Sequence, residues 1–229
     1  MSRRNKLLKF TENLTLPNVY ESFTYGSETL LGPEGAEVVM TGQWHSKYFK
    51  NNNPITLELA CGRGEYCLGL AARHSERNFL GVDIKGARIW RGAVNARAQK
   101  LDNVAFLRTK IESLDKFFEP GEISTIWITF PDPFLKDSKI NRRLTSPNFL
   151  NIYKRLLPEN HSIHLKTDSP EFYQHTREMI QQEGHRLLVD SPNIYKETLP
   201  HPDLDILTYY ERKHLAAQRI IKYIKFQLL

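Results

Sequence analysis

Two cysteines in 229 residues, Cys61 and Cys67, are too few and too close for a disulfide framework, and they lack zinc-site spacing. No stretch approaches the roughly 18 unbroken apolar residues that a membrane-spanning helix needs. The first ten residues are charged without an apolar centre, so no secretory leader is read there. The eight histidines form no HExxH pattern, and His161 and His164 read as parts of a strand. Internal repeats and low-complexity tracts are missing too. These absences predict a cytoplasmic, metal-free protein with no membrane association. At 40% apolar residues the chain is long enough for one well-buried α/β domain.

Acidic residues are also missing from two basic stretches. Residues 1–10 carry Arg3, Arg4, Lys6 and Lys9 with no acid, and residues 212–229 carry five cations with none. A third stretch, 136–143, holds Lys136, Lys139, Arg142 and Arg143 against Asp137 alone. These segments bear +4, +5 and +3 in a chain of net charge +6, which leaves −6 on the remainder. Basicity gathered into patches on a mildly acidic body is the footprint of a phosphate-backbone binder.

From residue 55 onward, strand-like and helix-like segments alternate. Strands are predicted at 55–60, 78–83, 104–108, 123–130, 162–167 and 187–190. Helices are predicted at 65–74, 87–100, 112–118 and 146–157, and from Ser169-Pro170 to about Gln182, where Gly184 stops the last. Ser146 and Pro147 read as the cap and first position of their helix. The tail, 219–228, fits a strand or one helical face, and its β-branched and aromatic content favours the strand. The rhythm predicts a mostly parallel, seven-stranded sheet with helices on both faces. Residues 1–50 lack a clear period and read as a basic arm anchored by Trp44, Tyr48 and Phe49. A single domain over 51–229 follows.

Glu58-Leu-Ala-Cys-Gly-Arg-Gly64 closes the first of these strands and opens a helix. Gly62 and Gly64 allow a tight turn whose backbone approaches a ligand closely. Asp83 ends the next strand, where a carboxylate accepts both hydroxyls of a ribose. Ala60 stands where a dinucleotide turn has its first glycine, and its methyl is tolerable if the local φ is negative. Glu58 would repel a pyrophosphate but suits the positive end of S-adenosylmethionine. The pattern therefore favours a methyltransferase over a dehydrogenase.

The segment from 130 to 143 carries the rest of the chemistry. Pro131 and Pro133 cannot continue a ladder, so Asp132 is presented from a stiff loop at the sheet's edge. The four cations follow at once. An acid beside a basic strip suggests chemistry on a polyanion.

With these segments, the chain resembles the bacterial tRNA (guanine-N7-)-methyltransferase family over roughly residues 25–229. The resemblance rests on the cofactor turn and on Phe130-Pro-Asp-Pro-Phe with Lys136. It rests equally on Asn141-Arg-Arg-Leu-Thr145, His164-Leu-Lys-Thr-Asp168 and Thr208-Tyr-Tyr-Glu211. It implies a Rossmann-like class I methyltransferase fold, S-adenosylmethionine as cofactor, and methylation of guanine 46 in the tRNA variable loop; a monomer or homodimer is expected. By position it makes Glu58, Gly62, Gly64, Asp83 and Asp132 cofactor-binding, with Asp132 also catalytic. Lys136, Asp168, Thr208 and Glu211 become substrate-binding, and Lys139, Arg142 and Arg143 RNA-contacting. Lys110 departs from the family's adenine-facing aspartate. The backbone at Lys110 and Ile111 still offers an adenine site, and Glu112 an acceptor.

Bland readings stand beside these. Thr208-x-x-Glu211 has capping-box spacing, and Asp168 sits at a helix start. The three tryptophans and Cys61 read as packing residues. The order Pro-Asp-Pro-Phe argues against an exocyclic-amine methyltransferase, which would show Asp/Asn-Pro-Pro-Tyr/Phe. Methylation of another RNA base, or a non-catalytic RNA-binding module with this fold, are the remaining alternatives.

Overall fold

The computed structural model describes residues 3–22 and 29–229, with side chains of the first helix described from residue 7 onward. The chain opens with α1 (Arg3–Asn13) and three short strands, β1 (Val19–Glu21), β2 (Leu30–Leu31) and β3 (Glu37–Val38). Then β4 (Ile55–Leu59), α2 (Glu65–Arg73), β5 (Asn78–Asp83), α3 (Gly86–Ala98) and β6 (Val104–Arg108) alternate. Next come β7 (Ile123–Thr129), α4 (Pro147–Leu156), β8 (Ser162–Thr167), α5 (Pro170–Gln182) and β9 (Arg186–Ser191). The chain closes with α6 (Tyr209–Ala216) and β10 (Lys222–Gln227).

Among the described residues one sheet runs in the order β3-β2-β1-β6-β5-β4-β7-β8-β10-β9. The seven predicted strands are its core. β4 to β8 pair in parallel, and β10 inserts antiparallel between β8 and β9. The tail is thus a strand from 222 to 227. Seven falls short of the full sheet because β1 pairs in parallel with β6 and carries β2 and β3 with it. Strands of two or three residues leave no periodicity to detect.

Strand alternation divides the core into two faces. Leu57, Leu59, Ile126 and Ile128 pack with Phe149, Tyr153 and Phe172 of α4 and α5. On the other face Trp127, Phe106 and Tyr223 pack with Tyr66 and Leu70 of α2 and Ile89 of α3. Trp44 is also core: its Nε1 donates to the Phe117 carbonyl at 2.9 Å, and Tyr48 Oη donates to that of Val104 at 2.7 Å.

Local predictions held with two adjustments. Ser169 Oγ accepts from the Phe172 amide to cap α5, and Gly184 past its end has φ +71°. Ser146 occupies the cap position of α4, but its hydroxyl donates instead to the Ile140 carbonyl at 2.8 Å. The short helix predicted at 112–118 is a 3₁₀ segment, Ile111–Lys116.

Strand order reverses between β4 and its two neighbours, β5 and β7. Such a switch point opens a crevice at the strands' carboxyl ends. Glu58, Asp83 and Phe130 all lie there.

Candidate active site

The turn after β4 is shaped by contacts that a side chain would break. A Cβ on Gly64 would lie 2.5 Å from the Phe106 ring, and both Gly62 and Gly64 have positive φ. Ala60 has φ +56°, so the expected negative φ is not what the chain adopts. An alanine held there costs about 1–2 kcal/mol. Asp83 ties this turn to the end of β5: its Oδ2 accepts from the Gly62 amide at 2.9 Å, while its Oδ1 accepts from the Lys85 amide in its own loop at 2.7 Å.

Glu58 lies beneath this turn, 2% exposed. Its Oε2 accepts from the Cys67 amide at 2.8 Å, in the first turn of α2, and its Oε1 accepts from Thr129 Oγ1 at 2.7 Å. Burial pushes its pKa up to about 8, and the two hydrogen bonds only partly offset that rise.

Two cavities meet at Ala60. One, of about 500 Å³, is lined by Asp83, Lys110, Ile111, Asp132 and the apolar side chains of Phe134 and Phe149. The other, of about 450 Å³, is lined by Glu58, Gly62, Thr129, Phe130 and Thr208. The first suits a flat heterocycle with a ribose beside Asp83. The second places a carboxyl group against a polar, cationic ligand end. The residues present fit S-adenosylmethionine: two glycines clear the backbone, an acid ends β5, and a buried acid sits below.

Asp132 is exposed at the mouth of the first cavity, its Oδ1 accepting from the Phe134 amide at 3.0 Å. Phe130 and Phe134 have φ +47° and +42°, a region bulky residues rarely occupy. The Phe134 end of the loop is held by Arg143. Predicted to contact RNA, Arg143 is instead 6% exposed, and its Nε donates to the Pro133 carbonyl at 2.8 Å and its Nη2 to that of Phe134 at 3.3 Å. It braces the loop that presents Asp132. Lys136, Lys139 and Arg142 are exposed, and Arg142 also lines the first cavity.

Of the other predicted residues, Thr208 lines the second cavity and caps α6, accepting from the Glu211 amide at 3.1 Å. Glu211 does not reach back to complete a capping box. It is fully buried, with Oε2 on Lys166 Nζ and Oε1 on Tyr195 Oη, both at 2.7 Å. Burial pulls the Lys166 ammonium down while Glu211 holds it up. Asp168 accepts from Arg219 Nη1 at 2.6 Å, so one cation of the basic tail is paired within the chain. The sequence reading missed this Lys166–Glu211 pair and the role of Arg143. A lysine within an otherwise buried strand was the available signal for the pair.

A family model described as "Putative methyltransferase" matches residues 52–224. A tRNA (guanine-N(7)-)-methyltransferase of Christiangramia forsetii is 43% identical over 229 residues, covering 100% of both chains. The chain belongs to the tRNA (guanine-N7-)-methyltransferase family. Its Bacteroides fragilis relative of that name is 44% identical over 98% of this chain and 86% of its own. The solved 16S rRNA methyltransferase KamB shares the fold at TM-score 0.62 and 13% identity, covering 84% of this chain and 96% of that one. Within the family frame, the cavity pair joined at Ala60 falls at the carboxyl-end crevice of a class I methyltransferase sheet. No helix among the described residues is long and apolar enough to cross a membrane, and no group of three or more candidate metal ligands is found among them.

Proposed function

We propose that this chain transfers a methyl group from S-adenosylmethionine to N7 of a guanine in tRNA, at position 46 of the variable loop, in the cytoplasm where that RNA resides. The observation that carries the reading is the pairing, at one switch point, of two fixed acids with an exposed one. Glu58 and Asp83 are tied by backbone and hydroxyl donors, and Asp132 stands at the cavity mouth beside a cationic strip.

When bound, S-adenosylmethionine supplies a methyl group activated by a sulfonium. Asp83 is assigned to the ribose, Lys110 and Ile111 to the wall of the adenine site, and Glu58 to the charge balance of the cationic end. Guanine N7 has a lone pair and no proton, so no residue need act as a base before attack. The chain's work is orientation, holding the reacting atoms at about 3–3.5 Å. Asp132 is assigned to the base, where a fixed carboxylate offsets the positive charge the purine acquires. Lys136 is assigned to O6 or a neighbouring phosphate, and Lys139 and Arg142 to the RNA backbone. Thr208 flanks the base. Asp168, whose Oδ2 is tied to Arg219, is assigned to the base. Glu211, with both oxygens committed, acts by fixing α6.

Incubation with labelled donor and unmodified tRNA, followed by nucleoside analysis, tests the reading. Label is expected in 7-methylguanosine and should vanish when guanine 46 is replaced by adenine. Label in another nucleoside overturns the chemistry, and label persisting in the replaced tRNA overturns the position.

A further inference from the structure

The second cavity extends beyond its buried floor. Beyond Glu58 and Gly62 its rim is built from Arg63 on the cofactor turn, Arg88 and Arg91 on α3, Lys9 on α1, and Tyr209 and Tyr210 on α6. The two tyrosines are nearly half exposed, 44% and 45%, and meet edge to face with centroids 5.6 Å apart. Cations alternate with them. The Arg63 guanidinium lies 5.5 Å from the Tyr209 ring, Arg88 lies 6.0 Å from that of Tyr210, and Arg88 Nη2 donates to Tyr210 Oη at 3.2 Å. Among the described residues two acids line the cavity, and both are occupied: Glu58 as described, and Glu65, whose Oε2 accepts from the Tyr209 amide at 2.6 Å.

A small zwitterionic cofactor does not need four cations and two half-exposed rings. Cations interleaved with exposed aromatic faces suit single-stranded nucleic acid, with phosphates on the guanidiniums and bases stacked on the rings. We propose that this rim is a second RNA track, which takes the unpaired nucleotides adjoining the target guanine. The strip at 136–143 borders the other cavity, so the RNA straddles the crevice and is gripped on both sides. The inference rests on the tRNA reading above and adds the surface that reading did not identify. Nothing in the 136–143 strip or in the loop acids calls for it.

The test uses the full chain and three variants: Arg88→Glu/Arg91→Glu, Tyr209→Leu, and Tyr209→Phe. Affinity for unmodified tRNA is measured across a salt series, S-adenosylmethionine affinity by calorimetry, and wild-type methylation in parallel. The arginine variant is expected to bind tRNA about tenfold or more weakly at 0.1 M salt. Its salt-dependence slope should fall by about 1.4, the loss of two single-strand phosphate contacts at about 0.7 each. Tyr209→Leu should lose about tenfold and Tyr209→Phe almost nothing, since stacking needs only the ring. Unchanged affinity and slope in the arginine variant would overturn the track. So would a loss confined to S-adenosylmethionine affinity, which would assign the arginines to the cofactor's carboxylate. If wild type methylates tRNA while the variants bind it normally, only the track fails; if wild type methylates none, the underlying activity fails instead.

Discussion

The two sides of the crevice are built on opposite plans. On the donor side, Glu58 and Asp83 are buried or nearly so, and every turn contact is closed by a backbone amide or hydroxyl. On the acceptor side, Asp132 is exposed on a loop whose flanking phenylalanines sit at positive φ and whose Pro133–Phe134 end is held by a buried arginine. A cofactor that arrives in one shape is met by a finished cradle. A base drawn from folded RNA is met by a carboxylate on a braced but strained arm, and such strain persists only where surrounding structure over-determines it.

Substituting Asp132 should break the comparison most severely. Asp132→Asn is expected to lower turnover on the order of 100-fold, the scale of removing one electrostatic stabiliser, with tRNA affinity nearly unchanged. Equal loss of both would assign Asp132 to binding. Arg143→Met should cost about tenfold in kcat with little change in KM for tRNA, because a brace that slips by about 1 Å degrades geometry and not charge. Arg143→Lys should restore part of it. A pure rise in KM would return Arg143 to the RNA-contacting role.

The donor side has a pH signature. Glu58 has a folded pKa of about 8, above the ordinary carboxylate value, so the native state holds a proton that the unfolded chain has released. Its contribution to stability is therefore complete below about pH 4.5 and shrinks as pH rises towards 8. Against Glu58→Gln, wild type should lose stability over that window and level off above it, as read by thermal melts. A cationic ligand favours the ionised carboxylate, so donor affinity should rise about tenfold from pH 6.5 to 8, and the variant should flatten that rise. The smallest effect belongs to Ala60→Gly. Relieving the left-handed alanine is expected to stabilise the protein by about 1 kcal/mol in denaturant unfolding, with turnover unaltered.

What the sequence disclosed follows from the range of the interactions involved. The seven core strands and their helices are local patterns, so Ile55–Leu59, Asn78–Asp83 and Ile123–Thr129 were readable as β-prone runs between helical segments. The acids at strand ends followed from the same boundaries. Pairing partners were not legible. Nothing around Arg143 distinguishes a guanidinium turned inward from its exposed neighbour Arg142. Nothing in Thr208-Tyr-Tyr-Glu211 tells that Glu211 meets Lys166, 45 residues away. The positive φ at Ala60 likewise runs against the residue's own preference, in a turn whose Gly62 amide donates to Asp83 across the sheet.

The short strands ahead of residue 50 have a consequence for protein handling. β1 lies along β6 residue by residue from Val19 to Glu21, and Arg108 Nη1 pairs with Glu21 at 3.3 Å. Without that cover, Val104–Arg108 would present a bare row of amides and carbonyls, the surface through which chains stick edge to edge. A version trimmed to begin at residue 51 would keep the cofactor turn and the Asp132 loop, yet its fate in concentrated solution would be set by that unsealed border.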